Sequence, residues 1–492
     1  MDINQVIEHN RSIQNYLFSG NKELQAIRNE LREACDIQRA ESDKPIIATG
    51  HQPTIYYPGL LFKNFFTDDA AKKTGASAIN FVVDSDKADF RIPIPYQEKE
   101  EIKKTHAELK NRKGKTYAEF NPSGEQIRNF FGKISNAIDS LPHRSIQEAL
   151  KQYRKTFFDA FENSQDFTET ISHLRNGLEE SMGFHIRNIK ISHITQSKGY
   201  NRYVYYLIKN LDHFTEVYNH AVRQCKRKDY QPAKFLDHRE GWYEFPFWLG
   251  KDAKRHPVYI KKDENAIHFS SDPPEKNISV QTRNRNEEEI ITKLKDSLTL
   301  YPKATTLTIM IRLFLCDVFV HGKGAIEYEK INDTILHDFF SLEKSPYFYG
   351  VTGDIWLPLV GHIGVHNGLE KEYKRKQQWL EEAHRDPEKH IPRVIAEQYK
   401  TEKKQLARQM QMEENPNKRK ELHQKMMKKD EEMKQYLRPD IENVKQTLSR
   451  YDQLLSKKEV YFERKYPYFI FPSEYLTNQN FKKNLKITLK PD

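Results

Sequence analysis

Apolar and polar positions near the start of the chain recur in a way that predicts helices packed on a parallel sheet. Apolar residues follow a helical spacing between Leu24 and Ala34, so we expect residues 1–44 to form amphipathic helices. The apolar run at 46–48 predicts a short buried strand, and residues 78–83 predict a second strand after an intervening helix. A strand, a helix and a strand in this order form a βαβ unit, whose two strands lie parallel. The sequence therefore predicts an α/β fold.

The middle of the chain carries a less regular pattern. Residues 95–185 predict mainly helix, and residues 225–290 predict loops and strands. We interpret both as insertions into a core that spans residues 45–368. The most apolar stretch, residues 307–319, predicts a further helix. We expect it to end at the glycines within residues 321–324, because glycine commonly follows the last turn of a helix.

The C-terminal part of the chain has a different composition. From 369 to 465, glutamate, lysine, glutamine and arginine predominate and apolar residues are sparse. This pattern predicts an antiparallel coiled-coil hairpin whose two arms meet at residues 415–417. The sparse apolar positions need a partner helix, which is either the other arm of the hairpin or a second chain, and we expect a homodimer formed through this hairpin. The aromatic residues at 466–472 predict that the tail, residues 466–492, returns to the core.

Composition and charge limit the class of protein. At 492 residues the chain exceeds what one hydrophobic core usually supports, which predicts several structural units. Three cysteines are too few for a disulfide framework or a cysteine-rich zinc site, and they indicate a reducing cytoplasm. No apolar stretch is long enough to span a bilayer, so we expect no membrane association. The net charge of +10 permits anionic ligands, and it leaves nucleic acid open as a partner because the excess is mild.

The first candidate site follows the first predicted strand, at Thr49, Gly50, His51 and Gln52. In open α/β sheets, ligands bind at the carboxyl ends of the strands. A glycine there lets the backbone approach a phosphate, and the N-terminus of the next helix favours an anion. A histidine in this turn could donate to phosphate oxygens and stabilise charge that develops during phosphoryl or adenylyl transfer. The alternative is a turn in which the histidine and glutamine only fix the loop.

The second candidate site is a group of carboxylates after the next predicted strand, at Asp84, Asp86 and Asp89. Carboxylates at the ends of neighbouring strands could bind Mg²⁺, a ribose or an amine, or act as a general base. The alternative is a turn stabilised by aspartate side chains that bond to their own backbone.

The third candidate site lies around the most apolar stretch. Arg312 and Asp317 interrupt it, and buried charges need partners. These two residues therefore pair with each other or with another buried group, or they face a pocket. His321 follows, and the glycine-flanked Lys323 could reach a phosphate. A satisfied ion pair beside a helix that ends at glycine is the alternative.

Two further patterns have weaker functional signals. The aromatic run at 242–248 could stack on a base, although packing in the core is the stronger explanation. His362, His366 and Glu370 share a helical spacing that could place metal ligands on one face. Glycines interrupt that segment, so we expect no metal site there.

Several of these stretches resemble the bacillithiol biosynthesis cysteine-adding enzymes, the BshC family. The stretches are Thr49–Pro53, Pro58-Gly59, Asp84–Phe90 and the segment Val320–Tyr328, which is rich in glycine. The resemblance implies a Rossmann-like, nucleotidyltransferase-like core and a long C-terminal coiled-coil hairpin. It also implies a ligase or transferase that joins an amine or thiol substrate, such as cysteine, to a small carboxylate or sugar-linked acceptor. ATP or another nucleotide would be the cofactor, with Mg²⁺ as its companion ion.

The resemblance also implies roles for single residues. His51 stands where the family usually has glutamine, and in this it is similar to the nucleotide-binding histidines of class I nucleotidyltransferases. The His-Gln-Pro opening is similar to that of WbqC-like proteins. The catalytic residues would be His51, Asp84, Asp86 and His321. The nucleotide-binding residues would be Thr49, Gly50, Gln52, Gly322, Lys323 and Gly324. The substrate-binding residues would be Asp89, Arg312 and Tyr328.

A second hypothesis makes the chain a binding protein without catalytic activity. In this view the basic chain and its long hairpin hold nucleic acid or a partner helix, and the core is a scaffold. A fold alone does not exclude this function, because function depends on sites.

Overall fold

The computed structural model describes residues 1–37, 44–226, 233–275, 277–359 and 369–490. The chain forms two compact units, of which the first is Met1–Ile355 with Arg464–Asp492 and the second is Trp356–Glu463. The boundary predicted at residue 368, together with His362 and His366, lies outside the described residues.

The first unit combines a central sheet, an antiparallel sheet and a two-stranded sheet. The strands are β1 (Ile46–His51), β2 (Ser77–Val82), β3 (Phe90–Glu98), β4 (Glu101–Leu109), β5 (Arg187–Lys190), β6 (His238–Arg239), β7 (Trp242–Lys251), β8 (Lys254–Lys262), β9 (Ala266–Ser270), β10 (Ile278–Gln281), β11 (Thr299–Pro302), β12 (Val318–Gly322), β13 (Phe348–Thr352) and β14 (Lys486–Lys490).

Helices flank these sheets. Those of the first unit are α1 (Ile3–Gly20), α2 (Lys22–Ala34), α3 (Pro58–Thr74), α4 (Gly124–Asp139), α5 (Arg144–Asn163), α6 (Phe167–Ser181), α7 (Ile191–Thr195), α8 (Lys198–Lys209), α9 (Leu211–Cys225), α10 (Glu287–Ser297), α11 (Ala304–Met310), α12 (Ile326–Asp338) and α17 (Asn478–Asn484). Those of the second unit are α13 (Leu369–Arg385), α14 (Arg393–Met412), α15 (Pro416–Ser456) and α16 (Lys458–Tyr461).

The central sheet has the order β14-β13-β12-β1-β2-β5. Strand β14 runs antiparallel to β13, and the other neighbouring pairs are parallel. The predicted α/β class with a parallel sheet is therefore confirmed. The chain leaves β1 through α3 towards β2 on one side, whereas it leaves β12 through α12 towards β13 on the other. The crevice between β1 and β12 is thus the point at which the connections diverge, where open α/β sheets bind ligands.

Local signals account for the βαβ unit. The first four residues of β1 are buried. Helix α3 begins at Pro58, whose fixed φ suits a first helical position. It ends before Gly75, whose φ of 66° lies in the left-handed region that glycine adopts without strain. Strand β2 then pairs with β1 from Ile46–Ser77 to His51–Val82, which brings the ends of both strands to the same edge.

The helix predicted at residues 307–319 is wrong in its last four residues. Helix α11 stops at Met310, a π-helical turn covers Ile311–Leu315, and β12 follows. A short apolar run occurs in both buried helices and buried strands, so the sequence pattern does not distinguish them. Here the segment forms a strand because it pairs with β1 on one side and β13 on the other. Gly322 is therefore the last residue of a strand and Gly324 follows it, so neither glycine terminates a helix.

The two predicted insertions contain both helices and strands. Residues 95–185 hold α4, α5 and α6 as predicted, but they also include most of the hairpin of β3 and β4. Residues 225–290 hold strands β6 to β10, most of which belong to an antiparallel sheet of order β10-β9-β8-β7-β11. This sheet supplies one wall of the pocket described below.

The termini of the first unit pack against its core. Leu24, Ile27 and Leu31 of α2 are buried in the main hydrophobic cluster. In the tail, Phe469 stacks on Tyr153 with ring centroids 4.4 Å apart. Both arrangements follow from the apolar spacing and the aromatic residues of these segments.

The second unit is helical in its described part. Helix α15 packs against α13 and α14. It runs antiparallel to α14, because only residues 413–415 connect the two helices and Lys429, inside α15, pairs with Glu402, inside α14, at 2.8 Å. Ala383, Ile391 and Leu437 belong to its small apolar cluster. Among the described helices of the whole chain, none has both the length and the apolar character needed to cross a bilayer.

Candidate functional site

A cavity of about 420 Å³ opens at the carboxyl edge of the central sheet, at the crevice between β1 and β12. Parallel pairing aligns Thr49 with Val320, so the residues that follow on both strands emerge side by side. The predicted residues that line this cavity are Gly50, His51, Gln52, Asp86, His321, Gly324 and Tyr328. The structure thus brings parts of all three candidate sites together.

His51 lies at the end of β1 and is held in a neutral form. Its Nδ1 is 3.1 Å from the carbonyl oxygen of Gln52, and its ring meets Tyr56 edge-on at 5.4 Å. Burial, with Lys63 as the next cause, lowers the pKa of His51 to about 3. Because a carbonyl oxygen only accepts, Nδ1 carries the proton and Nε2 is an acceptor. His51 in this state accepts a hydrogen bond from a ligand and does not donate to a phosphate.

Gln52 and Asp86 join the ends of β1 and β2 to the antiparallel sheet. Gln52 Nε2 donates to Asp86 Oδ2 at 2.9 Å, and Arg255 of β8 pairs with Asp86 Oδ1 at 2.5 Å. Both carboxylate oxygens of Asp86 therefore have partners. The side chain also lines the cavity, so a ligand amine would be an additional partner.

Trp248 of β7 positions two cations on the opposite wall. Arg255 and Lys303 lie 4.9 and 4.6 Å from the centre of its indole ring. Lys303 also pairs with Glu244 at 2.9 Å. Phe247, its neighbour in the aromatic run, is fully buried in the core. The aromatic run thus contributes Phe247 to the core and Trp248 to the pocket, where the indole ring contacts the two cations.

A buried ionic network stands behind His321. His321 Nε2 is 3.2 Å from Glu329 Oε1, and Asn332 donates to the same oxygen at 2.9 Å. Arg312 bonds to the other oxygen of Glu329 and to Asp333 at 3.0 Å. Burial alone would raise the pKa of Glu329, but His321 and Arg312 lower it to about 2. An ionised carboxylate therefore lies beside His321 and orients its ring.

Arg312 and Asp317 do not pair with each other. Arg312 is part of the network of Glu329, whereas Asp317 pairs with Arg11 at 3.0 Å. Arg312 does not line the cavity and acts on it through Glu329.

Other predicted residues face elsewhere. Thr49 donates to the carbonyl of Val320 at 2.9 Å inside the sheet. Asp84 is buried and accepts from the amide of Ser192 at 2.8 Å, and burial raises its pKa. Asp89 is exposed and accepts from the amide of Arg91 at 3.1 Å. The residues outside the cavity lining are Thr49, Asp84, Asp89, Arg312, Gly322 and Lys323.

The three aspartates therefore do not converge on one point as Mg²⁺ ligands. The described residues contain no group of three or more histidine, cysteine, aspartate or glutamate side chains placed to hold a metal ion. For a nucleotide, the cations Arg255 and Lys303 and the cavity volume fit a phosphate and part of a ribose or base.

Sequence reasoning missed Lys63, Arg255 and Glu329. Lys63 is 4% exposed, and its Nζ donates to the carbonyl of Gly50 at 2.8 Å. Its stem passes 3.6 Å from the position of a Cβ on Gly322, so it lies between the ends of β1 and β12. Burial, followed by the charge of Arg175, lowers the pKa of Lys63 to about 7. The position of Lys63 among the apolar residues of α3 is the sequence feature that could have indicated a buried lysine.

No family model matches this chain, and no curated protein matches it. We therefore infer its function from the geometry of the cavity.

Proposed function

We propose that this chain is a ligase or transferase that acts on a small molecule, with chemistry similar to that of the BshC family. The observation that carries the proposal is the convergence of His51 and His321 on one cavity at the point where the strand connections diverge. Asp86 and the cations Arg255 and Lys303 line the same cavity. A substrate with an amine and a carboxylate, such as cysteine, matches this charge pattern.

The two histidines have different roles in the proposed reaction. His321, backed by the ionised Glu329, accepts the proton of the attacking amine or thiol, and the carboxylate stabilises the positive charge that forms. His51 stays neutral and would accept a hydrogen bond from a hydroxyl or amino group of the bound nucleotide. A bound nucleotide would supply the group that activates the acceptor carboxylate, and Arg255 and Lys303 would hold its phosphate.

We further infer that the parallel sheet is a Rossmann-like core and that α13, α14 and α15 form a coiled-coil hairpin that dimerises the protein. The strand order and the antiparallel pairing of α14 with α15 support these inferences. Sedimentation at increasing concentration tests the dimer, and a monomer at all concentrations contradicts it. Cys35 and Cys316 are buried thiols without a disulfide bond in the described part of the chain, which supports a reducing compartment such as the cytoplasm.

The central experiment is calorimetric binding of ATP, ADP, CTP and AMP, with and without Mg²⁺. We expect saturable binding to the wild type and at least tenfold weaker binding to His51→Ala, because the variant loses a hydrogen bond inside a buried cavity. His185→Ala is the matched control, since His185 is exposed and does not line the cavity. Absence of binding for every nucleotide, or equal binding to both variants, contradicts the proposal.

A second candidate function is nucleic-acid binding by the second unit. Between 403 and 429 the chain carries nine lysines and arginines and three glutamates, mostly on exposed helix surface. Binding of this kind weakens steeply with salt. Charge reversal at Lys418, Arg419 and Lys420 should then weaken binding of a short RNA duplex, whereas reversal at Lys457 and Lys458 serves as the control. Equal binding by the two variants excludes this function for the segment.

A further inference from the structure

A second cavity, of about 830 Å³, lies at the opposite edge of the central sheet, beside α1 and α2. Asp317 marks this edge, because its side chain accepts from the amide of Ile46, the first residue of β1, at 2.7 Å. The cavity lining is mainly polar and includes Arg28 and Arg32. Neither arginine belongs to the site at the carboxyl edge.

Within the described part of the chain, neither arginine has a carboxylate partner. Arg28 Nη2 is 3.3 Å from Gln14 Oε1, and its guanidinium lies 4.6 Å from the ring centre of Phe18. Arg32 Nε donates to the carbonyl of Phe314 at 3.2 Å, while its Nη2 is buried without a hydrogen-bond partner. No described carboxylate lies within ion-pair distance of either guanidinium.

The nearby acids compensate this charge only in part, because the charge of Asp317 raises the pKa of both arginines less than burial lowers it. Asp317 is committed to Arg11 at 3.0 Å and to the Ile46 amide. Glu33 and Asp36 line the cavity but form no ion pair with either arginine. Burial, followed by the charge of Arg32, lowers the pKa of Arg28 to about 10.

This arrangement is unfavourable without a ligand. Arg28 and Arg32 are four residues apart on α2, so they share one face, where like charges destabilise a helix. The hydrogen bond to Phe314 accounts for one nitrogen of Arg32 and leaves the rest of its charge uncompensated.

We propose that Arg28 and Arg32 form a binding site for a phosphate group. A phosphate dianion compensates two positive charges, and guanidinium groups bind phosphate oxygens through paired N–H donors. Asn15, Ser19 and Asn29 also line the cavity and supply neutral donors for the remaining oxygens. The site is independent of the proposed catalytic function, because it lies at the other end of the strands.

The test is calorimetric titration of the full chain with inorganic phosphate, pyrophosphate and AMP at constant ionic strength. We expect saturable binding with one phosphate group per chain, and at least tenfold weaker binding to Arg28→Gln and to Arg32→Gln. Arg128→Gln is the matched control, because Arg128 is exposed on α4. Thermal unfolding without ligand should show that neither cavity variant is less stable than the wild type, since each removes a like-charge contact.

The outcomes separate this site from the first. Phosphate binding that is retained in His51→Ala and weakened in the arginine variants supports the proposal. Tight binding of inorganic phosphate identifies the free ion as the ligand, and binding of AMP alone identifies a phosphate carried by a larger molecule. Binding that is lost in His51→Ala and retained in both arginine variants overturns the proposal, as does the absence of binding by all three probes.

Discussion

The two edges of the central sheet differ in whether their cations have carboxylate partners. At the carboxyl edge, cations are matched with carboxylates: Arg255 with Asp86, Lys303 with Glu244 and Arg312 with Glu329. At the amino edge, Arg28 and Arg32 have no carboxylate within ion-pair distance in the described part of the chain. The charges of these three cations at the carboxyl edge are therefore balanced by carboxylates of the protein. At the amino edge, the positive charge of the two arginines is available to a ligand.

The difference shows what paired charges contribute at a site. A pair costs desolvation and gains little net stability, but it fixes the position of each side chain. Arg312 fixes the position of Glu329, and Glu329 orients His321, so the network determines where the imidazole lies. Lys63 is the exception at this edge, because its ammonium bonds to the carbonyl of Gly50 and to no described carboxylate. Three variants test how far this contrast holds.

The largest effect is expected from Arg312→Met, which breaks the paired network. The variant leaves Glu329 and Asp333 buried without their cation. We expect the free energy of unfolding in urea to fall by about 3–5 kcal/mol, the cost of an uncompensated buried charge. The double variant Arg312→Met with Glu329→Leu should recover part of this loss.

Arg144→Met is the control for this prediction. Arg144 also pairs with a glutamate, Glu148, at 3.1 Å, but both side chains are exposed. Its loss should not change stability measurably, because exposed ion pairs contribute little. If both single variants unfold at the same urea concentration, the buried network does not stabilise the carboxyl edge.

The contrast also explains which parts of the fold were predictable. The unit of β1, α3 and β2 has local signals: an apolar run, Pro58 at the helix start and Gly75 after its end. The apolar run at 307–319 has no such signal, and its conversion into β12 depends on pairing with two strands distant in sequence. Local sequence signals were therefore sufficient to predict the unit of β1, α3 and β2. Strand β12 depends on long-range pairing and was not predicted.

The site was predictable to the extent that topology alone determines it. Parallel strands end at one edge, and this topology brings His51 and Asp86, from the ends of β1 and β2, to one cavity. Side-chain direction was not predictable: Asp84 turns to Ser192, a partner 108 residues away. Arg255 reaches Asp86 from another sheet, and no pattern within β8 indicates this contact.

The next effect is expected from Lys63→Met, which removes the unpaired cation of the carboxyl edge. The pKa of Lys63 is about 7 in the folded protein and 10.5 without the fold. The unfolded chain therefore binds more protons between these values, and the stability of the wild type rises with pH across this window. Between pH 7 and 9 the wild type should gain about 2 kcal/mol relative to Lys63→Met.

Urea unfolding at both pH values measures this difference. Lys73→Met is the control, because Lys73 lies on the same helix, is exposed and pairs with the partly exposed Asp69 at 2.6 Å. Parallel stability curves for the wild type and Lys63→Met would mean that the ammonium is compensated in the folded protein.

The smallest effect concerns His51, whose neutral form distinguishes it from the cations around it. Its pKa is about 3 in the folded protein and 6.5 without the fold, so folding opposes its protonation. Its contribution to stability is complete above pH 6.5 and is lost as the pH falls towards 3. Between pH 7 and 5.5 the wild type should lose about 1 kcal/mol more than His51→Gln. His185→Gln, which changes an exposed histidine, should follow the wild type. Equal losses in the wild type and His51→Gln would show that the imidazole titrates freely, and His51 would then present a cation to the cavity instead of an acceptor.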